Sequence, residues 1–402
     1  MHALIIGGGV AGPTTAMALK KTGITSTVYE THPCGVSERG AFLGLFANGM
    51  DALRAIDAHQ LVLERSFPTT RIEFVTGRGK RLKDGRLDRD RFGLLSGPRM
   101  LKRAELCHVL AEEAHRRGIR IKAGKALVSA VRTTAGRVIA TFNDGTEAEG
   151  DLLVGCDGIH SVVRRMIDPL APHPRYTGED VVCGYVRKAP VTAPEETMRM
   201  AYGKRALFSY LTTPFGDTWW FVNIPGPASA SPAPATATPE QWKRRALERV
   251  AGEGAAATDL IRATRDDVVG IGVYDIASTP VWHTGPMVII GDAAHAAAPN
   301  AGHGASMALE DSVVLAKCLR DVPGEDAAFE RYEQLRRPRV EELVATSASM
   351  KRRAIPGPLQ RILRDFMLSR LLKDGPRNAA PWLTRHHIDW EEKISPEVKD
   401  RQ

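Results

Sequence analysis

Six residues near the start constrain this chain most. Gly7-Gly8-Gly9-Val10-Ala11-Gly12 fits GxGxxG, and its flanks make the match specific. Ala3 to Ile6 is a short apolar run, long enough for a buried parallel strand. The helix pattern that follows tolerates Pro13 in its first turn and stops at Gly23. Ser26 to Glu30 reads as a second strand, ending in an acid about 20 residues beyond the loop. Strand, glycine turn, helix and strand in this order open a Rossmann-like α/β sheet. Gly7 permits the tight turn, Gly9 lets backbone approach a pyrophosphate, and Gly12 lets helix and strand close on each other. Ala11 stands between them at the helix start, where free N–H groups and a partial positive charge suit phosphate. Glu30 is placed to accept hydrogen bonds from ribose hydroxyls. These residues alone do not separate NAD from FAD.

The remaining bulk features exclude more than they assert. At 402 residues, two domains or one large composite are expected. No run of about 18 apolar residues suggests a membrane span, and the N-terminus lacks the pattern of a signal peptide. The five cysteines are scattered without CxxC spacing, which points to reduced thiols in the cytoplasm and to no structural metal. The net charge is +8, but the basic residues interleave with acids, as in Gly77 to Arg91, so no nucleic-acid partner is expected. That stretch reads as a solvated hairpin turning at Asp84-Gly85.

Two later stretches carry chemistry. In "DLLVGCDGIHSVVRR", Leu152 to Val154 form a strand and Asp157-Gly158 a turn, with Ser161 and Arg164 following at helical spacing. There Asp157 would order backbone near a pyrophosphate, and Arg164 would meet an anion. In "GDAAHAAAPNAGHGASMALED", Gly291-Asp292 ends a buried strand from Met287, and Gly302, Gly304, Ala305 and Ser306 open a helix to about Leu319. Asp292 stands at a strand's carboxyl end, where ligands lie on an open α/β sheet. His295 is expected to be structural and satisfied by backbone, and His303 lies within the GxG turn, within reach of a pocket.

GxGxxG early, DGxxSxxR in the middle and GDAAH…P…GxG…ED late, in this order, resembles the FAD-dependent aromatic hydroxylases, the single-component flavoprotein monooxygenases typified by p-hydroxybenzoate hydroxylase. The resemblance covers most of residues 1–340. Arg39, the RxxL pair Arg103 and Leu106, and Leu127 match smaller family signatures, while Pro286 and Ala47 depart from it. It implies a discontinuous GR2-type FAD domain (1–72, 97–168 and 282–325), a β-sheet substrate domain (73–96 and 169–281) and a helical C-terminal segment (326–402). FAD would be held by Gly7, Gly9, Ala11, Gly12, Glu30, Arg39, Arg103, Leu127, Asp157, Arg164, Asp292, Pro299, Gly302, Gly304, Ala305 and Ser306. The amides of Gly304, Ala305 and Ser306 would stabilise negative charge on the reduced ring, as an oxyanion hole does.

The activity so implied is oxygenation of an aromatic or polycyclic small molecule with NAD(P)H and O2, through a flavin C4a-hydroperoxide, in secondary metabolism such as antibiotic biosynthesis or in aromatic catabolism. Arg164 and Arg39 are the candidates for the phosphates of transient NAD(P)H. No protein acid or base is assigned, and the oligomer is expected to be a monomer or homodimer. A reductase of the same fold and a catalytically silent flavoprotein remain alternatives; a halogenase does not, because "WWFVNIP" lacks WxWxIP spacing. Trp219 and Trp220 alternate across a strand, so one packs the sheet and the other can line a substrate pocket. Pro225 to Pro239 is a low-complexity loop ending in a capping box at Thr238 and Gln241. "LQRILRDFMLSRLL" (359–372) is amphipathic and more suited to packing on protein than to a membrane.

Overall fold

Ala3 to Ile6 lie within the strand His2–Ile6, whose last four residues are buried. A parallel sheet covered on both faces requires such a run, and this strand is central in one. In the computed structural model, which describes residues 1–33, 41–87, 97–226, 237–299, 302–354 and 381–395, it belongs to a six-stranded sheet. The order is His283–Thr284, Met287–Ile289, Leu152–Gly155, His2–Ile6, Thr25–Glu30 and Arg120–Ala123. All pairs are parallel except the first hairpin. Leu152 pairs with Ala3, and Met287 pairs with Leu153, so the three motif-bearing strands are adjacent and end on one edge. The helix Ala11–Lys21 ends where Gly23 takes φ +87° and donates its amide to Lys20, a left-handed stop open to glycine.

A second, seven-stranded sheet takes its strands from 71–86 and 175–275. One of its faces buries Trp220, Phe208 and Val222 against Trp242 of the helix Pro239–Val250 and Leu260 and Ile261 of Ala255–Ala263. The capping box at Thr238 and Gln241 is present as read. The hairpin of 71–86 also forms, but not with the expected turn. Ile72 pairs with Gly85 and Glu73 with Asp84, so both turn candidates lie inside the strand Arg81–Arg86. The chain reverses at 77–80 instead, where Gly79 has φ +83°. An Asp-Gly pair is a turn signal only where pairing leaves it unpaired; here the edge strand absorbs it.

A small sheet of Phe42–Leu45, Arg99–Lys102 and Phe67–Pro68 lies between these two sheets in the chain's path. Beyond it, the helix Gly304–Asp321 crosses the first helix, and the helix Glu325–Ala354, with Pro338 inside, packs on it. The C-terminal segment is helical only in part. After Pro381–Thr384, residues 385–395 form an irregular strap, held by Arg320 and Lys21 stacked on Trp390 and by Lys317 donating to the Asp389 and Glu392 carbonyls. Those carbonyls are bound by cations on neighbouring helices and so need no helical partner. The stretch 359–372 lies outside the described residues, as does most of the loop 225–239. No described helix is long and apolar enough to cross a membrane.

Candidate active site

The glycine loop is held by contacts that only glycine permits. A Cβ on Gly12 would lie 1.9 Å from the Gly7 carbonyl oxygen, and one on Gly7, at φ +108°, would lie 2.3 Å from the Cys156 carbonyl oxygen. First and second motifs therefore meet backbone to backbone. Gly9 differs. A Cβ there would meet only the Arg103 guanidinium, at 3.8 Å. Open space beside a cation, at a helix start with no side-chain cap, fits a pyrophosphate. Glu30 braces this loop, accepting from the Gly8 amide at 2.6 Å and the His32 amide at 2.8 Å. Its carboxylate still has lone pairs for a ribose.

The third motif closes on the same cleft. Gly291 takes φ +58°, and a Cβ there would lie 3.1 Å from Ala308 and 3.7 Å from Ala11. Asp292, which follows it, lies 3.8 Å from where a Gly304 Cβ would be. Its surface is open to the cleft while protein encloses it on most sides, and that enclosure pushes its carboxyl pKa up against the fields of His295 and Arg103. Arg103 thus reaches both Gly9 and Asp292, and Asp292 reaches Gly304: the crevice of the first motif and the turn of the third are one place.

The helix Gly304–Asp321 starts without a side-chain cap, and its first intrahelical bond is Met307 N–H to the His303 carbonyl. The amides of Gly304, Ala305 and Ser306 are left for a ligand. Gly302, at φ +71°, sits against Phe46 and donates to the carbonyl of exposed Pro299. Ser306 accepts from the Phe46 amide at 3.3 Å, so its hydroxyl is committed to the fold. His303 stacks on Phe46, with centroids 3.8 Å apart, and burial lowers its pKa to about 3. It is neutral at physiological pH.

Arg164 and His295 make contacts other than those expected. Arg164 is 2% exposed and donates to the carbonyls of Ala293 (2.9 Å) and Ile159 (2.7 Å). It ties the second motif to the third and presents no face to the phosphates of NAD(P)H. Its neighbour Asp157 caps the following helix through the Val162 and Val163 amides, and its Oδ1 is buried without a described partner. His295 is structural, but a carboxylate satisfies it rather than backbone: Nε2 lies 2.5 Å from Asp311. Leu127 is 7% exposed and begins the strand Leu127–Arg132 within the core. Arg39 lies outside the described residues.

Sequence reasoning missed what anchors the third motif. Asp311 accepts from the Gly291 amide (2.9 Å), from His295 and from Arg336 Nε (2.7 Å). Glu310 receives Arg336 (2.5 Å), both Arg339 contacts (2.8 Å) and Asn48 (2.7 Å). All four carboxylate oxygens are engaged; despite complete burial, Arg336 and Arg339 hold Glu310 down to about 2, and His295 followed by Arg336 holds Asp311 far below its usual range. The "ED" pair was visible in the sequence as part of a family pattern; nothing marked Arg336 as its partner. Marked only through the Trp219–Trp220 pair is an aromatic cluster, where Phe42 and Phe67 from the small sheet meet Trp219, Tyr185 and Phe221 from the large one. No group of three or more potential metal ligands occurs among the described residues.

A glycine cradle with room for a diphosphate, joined to an uncapped helix start across one cleft, defines a flavoprotein of the FAD-dependent hydroxylase class. The chain belongs to the family described as FAD binding domain, whose model matches residues 1–347. It is similar to the 3-amino-4-hydroxybenzoate 2-monooxygenase of Streptomyces cremeus, at 30% identity over 84% of each chain. The aurachin C monooxygenase/isomerase of Stigmatella aurantiaca is 29% identical over 86% of this chain and 87% of that protein. Among solved structures, Klebsiella pneumoniae HpxO complexed with FAD and uric acid matches with a TM-score of 0.81 at 26% identity, over 92% of both chains. The protein is an FAD-dependent monooxygenase of the hydroxylase family.

Proposed function

We propose that this monooxygenase consumes NAD(P)H and O2 to oxygenate an aromatic or polycyclic small molecule. The observation that carries the reading is the uncapped start of the helix Gly304–Asp321 facing the same cleft as Gly9, Arg103 and Asp292. Bound FAD would supply the redox chemistry, taking two electrons from NAD(P)H and activating O2. Overall, substrate, NAD(P)H, a proton and O2 become hydroxylated substrate, NAD(P)+ and water. The chain's residues hold and polarise. Gly7, Gly9 and Gly12 give the pyrophosphate its cradle, Arg103 adds a cation beside it, Glu30 receives the adenosine ribose and Asp292 the ribityl chain. The amides of Gly304 to Ser306 stabilise negative charge at the pyrimidine edge. His303, neutral and stacked, gives the turn its shape rather than a proton. The relatives support a ring substrate, since they include a 3-amino-4-hydroxybenzoate monooxygenase and a urate hydroxylase. The test is to mix the yellow protein with NAD(P)H in air and add candidate aromatics. Substrate-stimulated O2 uptake with a product heavier by one oxygen is expected. NAD(P)H oxidation that no substrate couples to product would instead mark a reductase, and flavin binding without NAD(P)H oxidation a silent binder.

A further inference from the structure

The C-terminal strap meets the helix Gly304–Asp321 in chain order. His386 lies 4.0 Å from Glu310, and the Asp389 and Glu392 carbonyls accept from Lys317. The Trp390 carbonyl accepts from Arg320 at 2.7 Å, and the Ile394 amide donates to Asp321 at 2.9 Å. Strap and helix therefore run in the same direction over 310–321. Leu383, Ile388 and Trp390 are buried in the main core. Asp51, on the helix Ala47–Ala55, fixes the middle: it accepts from the Ile388 amide at 2.9 Å and lies 2.9 Å from His387 Nδ1. Buried apolar anchors and satisfied backbone give this segment one fixed path.

The strap's first end reaches the turn of the third motif through one guanidinium. Arg339 donates to both Glu310 oxygens at 2.8 Å and also to the Trp382 and Leu383 carbonyls. Glu310 lies about one turn beyond Ser306 on the same helix. It also receives Asn48 at 2.7 Å, and Asn48 is two residues past Phe46, whose amide donates to Ser306 and whose ring stacks on His303. Ser306, Phe46, Asn48 and Glu310 thus close a ring of contacts around the start of the helix, and Arg339 ties that ring to the strap. Two guanidinium groups, Arg336 and Arg339, face the two carboxylates Glu310 and Asp311. Removing Arg339 unpins the turn and leaves the carboxylate pair one guanidinium short. Both changes disfavour further negative charge at the helix start. The match to the family model ends at residue 347, so the strap lies past the residues that define the class.

We propose that the strap 381–395 is a working part of the flavin site and that Arg339 is its positioning residue: by joining Glu310 to the Trp382 and Leu383 carbonyls, it holds the Gly304–Ser306 amides where they stabilise reduced flavin. This rests on the reading that those amides face the ring. The measurement is the two-electron midpoint potential of the full-length, FAD-loaded protein, which needs no turnover and which a loss of global stability does not move while the protein stays folded. Arg339→Met should weaken the preference for reduced over oxidised flavin about tenfold, a fall of about 30 mV. Ile388→Ala loosens the strap without removing a charge, and should weaken that preference about threefold, a fall of about 15 mV. Arg339→Lys keeps the charge but not the fork across carboxylate and carbonyls, so it should behave as Ile388→Ala does. Trp220→Leu, destabilising but set in the core of the second sheet, should leave the potential at its wild-type value. A potential unmoved by Arg339→Met or by Ile388→Ala overturns the proposal, as does an equal fall in Trp220→Leu. Where Arg339→Met yields no folded holoprotein, Ile388→Ala and Arg339→Lys decide. Ala305→Pro separates this proposal from the reading beneath it, because it deletes one amide donor in the first turn, where proline is tolerated. A potential unchanged by Ala305→Pro means that the amides do not face the ring, and both fall. A drop in Ala305→Pro with none in the strap variants sinks the strap alone.

Discussion

The glycine cradle and the aromatic cluster are built by opposite means. The cradle is main chain: glycines that allow backbone to touch backbone, and amides left over at helix starts. Its geometry is local, so spacing along the sequence encodes it. The cluster is side chains from four strands of two different sheets, assembled only by register. Substitutions should therefore act differently in the two. Those in the cradle act through sterics and are severe; those in the cluster act through the ligand and spare the fold.

The largest effects should separate glycines within the cradle. Gly12→Ala places a methyl 1.9 Å from a backbone oxygen that cannot move without breaking the first strand–helix turn. It should yield colourless or insoluble protein, with FAD affinity down by more than about 100-fold. Gly9→Ala meets only a flexible guanidinium tip. The apoprotein should melt as wild type does, while FAD binding falls because the methyl occupies the phosphate's space. If apo Gly9→Ala were as unstable as Gly12→Ala, the open cradle would be misdescribed.

Next in size is the buried anchor of the third motif. Arg336 is 1% exposed and pairs with both Glu310 and Asp311. Arg336→Met removes a guanidinium shared by two buried carboxylates, leaving Glu310 to Arg339 and Asp311 to His295, at a cost of about 3–5 kcal/mol in urea unfolding. Adding Asp311→Asn should recover part of that loss, since an amide can still receive the Gly291 N–H without needing a countercharge. A double variant no more stable than the single one would show that Asp311 does not depend on Arg336.

What the sequence disclosed follows the same division. The GxGxxG unit, the Asp157 turn and the Gly291–Ser306 stretch were legible because glycine spacing states a backbone path. Arg164 was legible as important but not in its role, since a sequence does not say whether a guanidinium points at a ligand or at two carbonyls. The Glu310–Arg336 pairing was hidden by its 26-residue separation across two helices. Trp219 and Trp220 were partly legible: alternation required opposite faces, but only the register with Tyr185 and the approach of Phe42 showed which one meets those rings.

His303 belongs to the third motif's turn, stacked on Phe46, and pH should expose it. Its pKa is lowered from 6.5 to about 3 by burial, so over that interval it is neutral when folded and protonated when unfolded. Stability is then full above pH 6.5 and declines as pH falls, by up to about 1.4 kcal/mol per pH unit. Glu310, lowered from 4.5 to about 2, acts in the same direction but only below 4.5. Between 4.5 and 6.5 Glu310 is silent, but His386, lowered to about 4 by burial, acts in the same sense, so only the difference from a His303 variant isolates His303. His303→Phe, which keeps a ring on Phe46, should flatten the slope of unfolding free energy there by up to about 1.4 kcal/mol per pH unit. An unchanged slope would mean that the imidazole is already solvated in the folded protein.

The smallest expected effect sets the strictest condition on the comparison. Trp220 is fully buried, stacked on Phe208 at 5.7 Å and bonded through its indole N–H to Thr264 at 2.9 Å. Trp220→Leu should cost about 2–4 kcal/mol, from a cavity plus an orphaned hydroxyl partner. Trp219→Leu removes a half-buried ring that packs on other half-buried rings. Its stability cost should stay below about 1 kcal/mol, near the ordinary range for partly exposed positions, while ligand affinity falls. Adjacent residues of identical type then give opposite readouts, one in unfolding and one in binding. Equal destabilisation by both would mean that the aromatic cluster is simply core, and that the cleft finds its guest with other side chains.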